Sequence, residues 1–134
     1  MARKLFVNLP VKDLKATIAF FTALGFSFNA KFTDDTATCI LVGEDAYVML
    51  LTEARFKDFT KRPLSVAHTS TETIVALSAD SRAEVDRLAE IALVSGATVA
   101  MPPSDLGFMY SRSFYDLDGH HWEVFYMDPA VANA

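Results

Sequence analysis

The sequence lacks clusters of basic residues and long apolar runs. It has 12 lysines and arginines against 17 aspartates and glutamates, for a formal net charge of -5, and the longest basic runs are pairs such as Lys61-Arg62. Such a chain has no basic surface to neutralise nucleic-acid phosphates. Apolar runs such as residues 46–51 are far shorter than the ~20 residues that cross a bilayer. We therefore expect a cytoplasmic protein with no nucleic-acid partner and no membrane association.

Cysteine and the common catalytic motifs are also scarce. The single cysteine, Cys39, excludes an internal disulfide, and its setting in ATCILV predicts a buried strand residue. The sequence has no glycine-rich phosphate loop and no G-x-S-x-G, H-E-x-x-H or C-x-x-C motif. The function has to be sought in the pattern of the whole chain.

The first half of the chain begins with a strand and a helix and continues as short strands. Residues 4–11 (KLFVNLPV) predict the strand, and Asp13 can cap a helix whose apolar residues recur at helical spacing up to Gly25. Three short apolar stretches separated by turn residues follow, namely FSFNAKF, TATCILV and AYVMLL. The predicted order is β-α-β-β-β.

The second half repeats this order. TIVALSA predicts a strand, Ser81 and Glu84 form a capping box that opens a helix, and Gly96 ends it. The stretches ATVAM, FMYSRSFY and HWEVFY predict three more strands. We predict a single α+β domain over residues 1–134, built by internal duplication from two βαβββ modules. They span about residues 1–52 and about 72–128, joined by a connector over about 53–71.

Three stretches carry a resemblance to a known superfamily. NLPVKDLKATIAFFTALGF at 8–26, ALSADSRAEVDRLAEIALVSGA at 76–97 and SFYDLDGHHWEVFYMD at 113–128 resemble the glyoxalase, bleomycin-resistance and extradiol-dioxygenase superfamily, also called vicinal oxygen chelate. The last stretch is similar to the family's Asp-Pro-Asp-Gly turn and the Glu-bearing strand after it, with Leu117 in place of proline. The resemblance implies curved mixed sheets around a cleft that binds a small molecule, and a homodimer.

In metal-using members, the resemblance implies four ligand positions, on the first and last strand of each half. Matched by spacing, these positions fall on Phe6, Met49, Ile74 and Glu123. Hydrocarbon side chains have no lone pair for a metal, and a thioether suits soft ions, so one carboxylate is left. We expect no cofactor and no metal at these positions, and a divalent metal at a displaced site is the alternative.

Residues two positions away on the same strand share a face with Phe6, Ile74 and Glu123, because strand side chains alternate. The predicted neighbours are Asn8, Glu72, His121 and Phe125. His121, Glu123 and Glu72 together form the alternative metal site.

The other strand of the C-terminal hairpin adds more candidates. A four-residue turn at 116–119 would set Phe114 opposite His121, Arg112 opposite Glu123 and Tyr110 opposite Phe125, whereas a one-residue slip would substitute Ser111 and Ser113.

These observations predict a protein that binds a small apolar or aromatic molecule in the cleft between the modules, without the usual metal. The expected cleft residues are Phe6, Asn8, Met49, Glu72, Ile74, Tyr110, Arg112, Phe114, His121 and Phe125. Whether the chain is an enzyme stays open. One alternative is a metal-dependent enzyme, either a lactoylglutathione-lyase-like lyase or isomerase or an extradiol dioxygenase, that uses the site around His121 and Glu123. Another is a metal-free enzyme in which Glu123 is the catalytic general base.

Overall fold

Each half of the chain is organised by a parallel pairing between its first and its last long strand. The computed structural model describes residues 3–132, which divide into one unit that ends at Ser65 and one that begins at Val66. The strands of each unit form a sheet of their own.

The first unit consists of one main helix and a four-stranded sheet. Its elements are β1 (Leu5–Val11), α1 (Leu14–Ala23), β2 (Ser27–Phe28), β3 (Ala37–Gly43), β4 (Ala46–Thr52) and the short helix α2 (Glu53–Phe56), with 3₁₀ turns at Ala30–Phe32 and Lys57–Phe59. The strand order is β1-β4-β3-β2, in which β1 runs parallel to β4 and the other pairs are antiparallel.

The second unit has the same plan. Its elements are β5 (Ile74–Ser78), α3 (Arg82–Val94), β6 (Thr98–Val99), β7 (Ser104–Asp105), β8 (Met109–Tyr115), β9 (His121–Met127) and the short helix α4 (Pro129–Ala132). The strand order is β5-β9-β8-β6, with β7 also paired to β8, and β5 runs parallel to β9. The repeated order confirms the predicted α+β fold with duplicated βαβββ modules.

The core of the first unit lies between α1 and one face of its sheet. The helix buries Leu14, Thr17, Phe20 and Phe21. Ile40, Val48 and Leu50 are almost fully buried on β3 and β4. The Phe21 ring meets Phe20 edge-on at 4.9 Å between centroids. Each fully buried side chain of this size contributes roughly 1.5–3 kcal/mol to the stability of the fold relative to an exposed one. This face of the sheet therefore forms the core and is not available to a ligand.

The core of the second unit lies between α3 and its sheet. Val85, Leu88 and Ala92 are buried on the helix, as their spacing predicts. Phe114, Trp122 and Val124 are buried on β8 and β9. Trp122 and Val124 alternate with His121 and Glu123 along β9, so they lie on the face that α3 covers.

The ends of the two long helices also follow the sequence signals. Asp13 accepts a hydrogen bond from the Ala16 amide at 3.1 Å, and Ser81 accepts one from the Glu84 amide at 3.1 Å. Gly25 and Gly96 follow the helices with φ of 98° and 115°, the left-handed conformation that ends a helix with least strain.

Two strands are shorter in the structure than the sequence predicts. The segment 26–32 forms only β2, because Asn29 accepts the Lys31 amide at 3.0 Å and starts a 3₁₀ turn. The segment 97–101 forms only β6, and the predicted loop PPSDLG contains β7. Among residues 3–132, no helix is both long and apolar enough to span a membrane.

The cap of α3 gives a direct test of this helix boundary. Ser81→Ala should lower the free energy of unfolding by about 1 kcal/mol, because the Glu84 amide loses its acceptor. Urea denaturation followed by circular dichroism measures the change. Ser65→Ala, which alters an exposed serine in the connector, should leave the free energy of unfolding unchanged, and an equal loss in both variants would contradict the capping role.

Candidate functional site

The far face of the first sheet, defined as the face opposite α1, carries Phe6, Asn8, Tyr47 and Met49. Phe6 pairs with Tyr47 and Asn8 pairs with Met49 across the parallel strands, so the four side chains form a block. Phe6 is 41% exposed, Asn8 is exposed, and Tyr47 and Met49 are half-buried. The structure thus brings together the three residues that the sequence proposes for this half.

The two aromatic rings of this block are stacked and held in place. The Phe6 and Tyr47 centroids are 4.6 Å apart with 13° between the ring planes. The Tyr47 hydroxyl donates to the Glu44 carbonyl oxygen at 3.1 Å, and the Lys4 ammonium lies 5.5 Å from the Tyr47 ring centroid. The Asn8 amide makes no side-chain hydrogen bond within the described part of the chain. The block offers an exposed ring beside an amide with both donors and an acceptor available.

The far face of the second sheet, defined as the face opposite α3, carries His121, Glu123 and Phe125 from β9. Ile74 lies opposite His121 on β5 and is 52% exposed. Tyr115 lies opposite His121 on β8, with an edge-on ring contact at 5.3 Å. Glu72 precedes β5 in an exposed bend outside the strand pairing.

The predicted pairing of Arg112 with Glu123 is wrong. Five residues, 116–120, separate β8 from β9, so the register sets Ser113 opposite Glu123 and Arg112 opposite Val124. This is the one-residue slip, and it moves three predicted cleft residues to the helix-covered face. Those residues are Tyr110, Arg112 and Phe114.

On that face, Tyr110 and Arg112 hold the sheet to α3. The Tyr110 hydroxyl donates to Asp86 at 2.6 Å, which lowers the pKa of Asp86 and raises that of Tyr110. The Arg112 guanidinium contacts Asp86 at 3.2 Å and Glu90 at 2.9 Å. The Arg112 side chain is only 16% exposed, whereas Asp86 and Glu90 are 51% and 63% exposed, so the guanidinium links the sheet to the outer side of α3 and serves packing.

Arg82, at the start of α3, is bonded to β7. Arg82 forms a two-bond pair with Asp105 at 2.9 and 3.0 Å, and its guanidinium lies 5.2 Å from the Tyr110 ring centroid. The hydrogen bonds from Arg82, with one from the Gly107 amide, lower the pKa of Asp105 from 3.8 to about 2. The ion pair therefore stabilises the fold above the ordinary pKa of the carboxyl, and this contribution is lost as the pH falls towards about 2.

The donors for a metal are not assembled in the described part of the chain. No group of three or more His, Cys, Asp or Glu side chains within residues 3–132 is placed to hold a metal ion. His121 and Glu123 share one face, but Glu72 does not join them in such a group. Phe6, Met49 and Ile74 offer no oxygen or nitrogen ligand, so the residues at the family's positions do not fit a divalent metal.

The hairpin turn contains a buried carboxylate that was not predicted from the sequence. Asp116 is 5% exposed and accepts hydrogen bonds from the amides of Asp118 and His120 and from the indole nitrogen of Trp122, at 2.8–3.0 Å. Burial raises the pKa of this carboxyl above its usual value. The Asp-x-Asp-Gly pattern signalled a turn, but not that its first residue is buried.

Two far-face residues were also missed, namely Tyr47 and Tyr115, and Ser113 was named only for the slipped register. The signal for Tyr47 was present, because it lies two positions before Met49 on the same strand. Ser113 and Tyr115 required the correct hairpin register.

The ion pair between Arg82 and Asp105 can be tested by titration. Arg82→Gln should raise the pKa of Asp105 from about 2 towards 3.8, measured by NMR of the side-chain carboxyl carbon. Arg87→Gln is the matched control, because Arg87 pairs with Glu84 on the same helix. An Asp105 pKa that moves equally in both variants, or in neither, would show that Arg82 is not the cause.

Comparison with known proteins gives the family. The model of the Glyoxalase/Bleomycin resistance protein/Dioxygenase superfamily matches residues 5–124. Among solved structures, the chain is similar to hypothetical protein SA1046 from S. aureus, with 28% identity, a TM-score of 0.79 and 94% of each chain covered. Curated protein sequences give no match.

Two more distant structures show the same fold. One is a glyoxalase/bleomycin resistance protein/dioxygenase family enzyme from Burkholderia phytofirmans PsJN, with 16% identity, a TM-score of 0.76 and 94% and 99% of the two chains covered. The other is the fosfomycin resistance protein FosX from Mesorhizobium loti, with 20% identity, a TM-score of 0.69 and 100% of both chains covered. With its two βαβββ modules and the matched residues, this chain belongs to the glyoxalase/bleomycin resistance protein/dioxygenase superfamily.

Proposed function

We propose that this superfamily member binds a small molecule with a flat apolar or aromatic part on the far face of the first sheet. The proposal includes no metal ion at the four positions that metal-using relatives employ. The observation that carries it is the exposed, stacked pair of Phe6 and Tyr47 beside the Asn8 amide.

The aromatic pair is suited to extending a stack onto a ligand ring. Phe6 is 41% exposed although it lies on a strand, and Tyr47 supports it from one side. The hydrogen bond from Tyr47 to Glu44 fixes the supporting ring, so little rotamer freedom is lost when a ligand binds. Met49 adds a polarizable thioether, which makes favourable contacts with aromatic rings.

Asn8 and Lys4 supply polar groups around these apolar side chains. Asn8 alternates with Phe6 on the same face of β1 and presents an amide, while the Lys4 ammonium lies over the Tyr47 ring at the end of the strand. Sites for small molecules typically combine an apolar lining with a few polar groups that orient the ligand. The arrangement favours an aromatic compound with one hydrogen-bonding substituent.

A metal-free enzyme that uses Glu123 as a general base is the second candidate. The Glu123 carboxylate makes no hydrogen bond or ion pair within the described residues, and its cross-strand neighbours are Ala76 and Ser113. A carboxylate in this position can accept a proton from a substrate bound on that face. The metal-dependent lyase, isomerase or dioxygenase has weaker support, because only His121 and Glu123 share the face. A homodimer and a cytoplasmic location remain predictions from the sequence.

Binding of a neutral aromatic dye tests the first proposal. Nile red should bind with a saturable increase in fluorescence, and Phe6→Ala should weaken its affinity between about 2-fold and about 10-fold. This range corresponds to the loss of one aromatic contact of about 0.5–1.5 kcal/mol.

Phe32→Ala is the matched control for the dye experiment. Phe32 is 50% exposed in the 3₁₀ turn of the same unit and is not one of the residues of the far-face block. It should leave the dye affinity unchanged, with circular dichroism showing that both variants fold. Equal weakening in the two variants would mean that the dye binds exposed rings without preference.

Metal content separates the metal-free proposals from the metal-dependent alternative. Protein purified without a metal-binding tag should contain zinc, nickel, manganese and iron far below one ion per chain by elemental analysis. Glu123→Ala should show the same content, because the family's other positions hold no oxygen or nitrogen ligand. A metal that is stoichiometric in the natural chain and absent from Glu123→Ala would refute the metal-free proposals.

A further inference from the structure

A pocket of about 390 Å³ lies inside the second unit, at the end of the β8–β9 hairpin. One wall is formed by residues 67–71 of the connector, and the rest comes from the end of α3, the start of β6 and the hairpin turn 115–119. The volume falls within the range of about 300–1,000 Å³ that small-molecule sites occupy.

The connector wall is held in place by contact with the turn. A Cβ atom added at Gly119 would lie 2.8 Å from both the backbone nitrogen and Nδ1 of His68, so the two segments meet at a distance that only glycine allows. The amides of Thr69 and Ser70 both donate to the Val66 carbonyl oxygen at 3.1 Å. The wall is therefore a turn that is closed by its own backbone hydrogen bonds and lies against Gly119.

Five of the eleven residues that line the pocket carry a hydroxyl group. Thr69 and Ser70 donate their hydroxyls to the Val66 carbonyl oxygen at 3.2 and 3.3 Å, which leaves their oxygens as acceptors. The hydroxyls of Thr71, Thr98 and Tyr115 make no hydrogen bond within residues 3–132. Thr98 pairs with Tyr115 across the strands, so two of these hydroxyl-bearing side chains stand on one face.

The charge of the pocket selects against anions. Its lining residues include no lysine or arginine, but they include the carboxylate of Asp116. That carboxylate already accepts three hydrogen bonds, so it has little capacity left to bind a cation. Donors and acceptors without a strong net charge suit a ligand whose own groups are hydroxyls.

We propose that this pocket binds an uncharged polyhydroxyl compound, such as a small sugar or sugar alcohol, through the hydroxyls of Thr71, Thr98 and Tyr115. The pocket belongs to the second unit and the block of Phe6 and Tyr47 to the first, and the proposal does not rest on the function proposed above.

Titration of the full chain with glucose and sorbitol tests the proposal, with acetate and inorganic phosphate as anionic probes. The fluorescence of Trp122, the single tryptophan, reports binding because its indole donates to Asp116 in the pocket wall. Glucose or sorbitol should give a saturable change, and amide NMR shifts should map to residues 67–71 and 115–119. Thr71→Val and Thr98→Val should each weaken binding about 3- to 10-fold through loss of one hydrogen bond.

Thr73→Val is the matched control, because it makes the same change in an exposed residue that does not line the pocket. It should leave the affinity unchanged, and Tyr115→Phe should weaken binding by removing a hydroxyl with little change in shape. No saturable signal with either neutral probe would overturn the proposal. Tighter binding of acetate or phosphate would also overturn it, as would equal weakening in Thr73→Val. Failure here leaves the dye experiment on Phe6 unaffected, since the probes and variants differ.

Discussion

The buried carboxylate of Asp116 fixes the register on which the second unit depends. It gathers two turn amides and the Trp122 indole, so the loop and the core strand are tied to one side chain. The five-residue loop that results sets Ser113 opposite Glu123 and directs Arg112 to α3. Burying a carboxylate is costly, and the three donors offset that cost only in part, as the raised pKa of Asp116 indicates.

Most of the fold was predictable because its signals are local. Asp13 and Ser81 mark helix starts within four residues of the bonds they make, and apolar periodicity identified the buried faces of α1 and α3. The short strands were not predictable in the same way. β2 gives way to a turn through a side-chain bond of Asn29, and β7 exists only because β8 pairs with it.

The candidate site was predictable only where alternation along one strand decides it. Phe6 with Asn8, and His121 with Glu123, follow from a period of two. Arg112 could not be placed by the same rule, because one extra loop residue moves every side chain of β8 to the other face. The five-residue loop is held partly by the bond between Asp116 and Trp122, and one wall of the pocket lies where His68 meets Gly119. Neither contact follows the apolar periodicity from which the helices and strands were predicted.

The parallel pairing of β1 with β4 and of β5 with β9 has a consequence for how the protein is made. Leu5 finds its partner Ala46 only about forty positions later, so a strand emerging from the ribosome waits for the last strand of its module. Its exposed backbone edge is meanwhile open to pairing with other chains. Pairing of the first and last strands of each module, and not helix formation, should therefore limit the rate of folding. A pause in translation just before residue 46 would lengthen the time for which the unpaired first strand can aggregate with other chains.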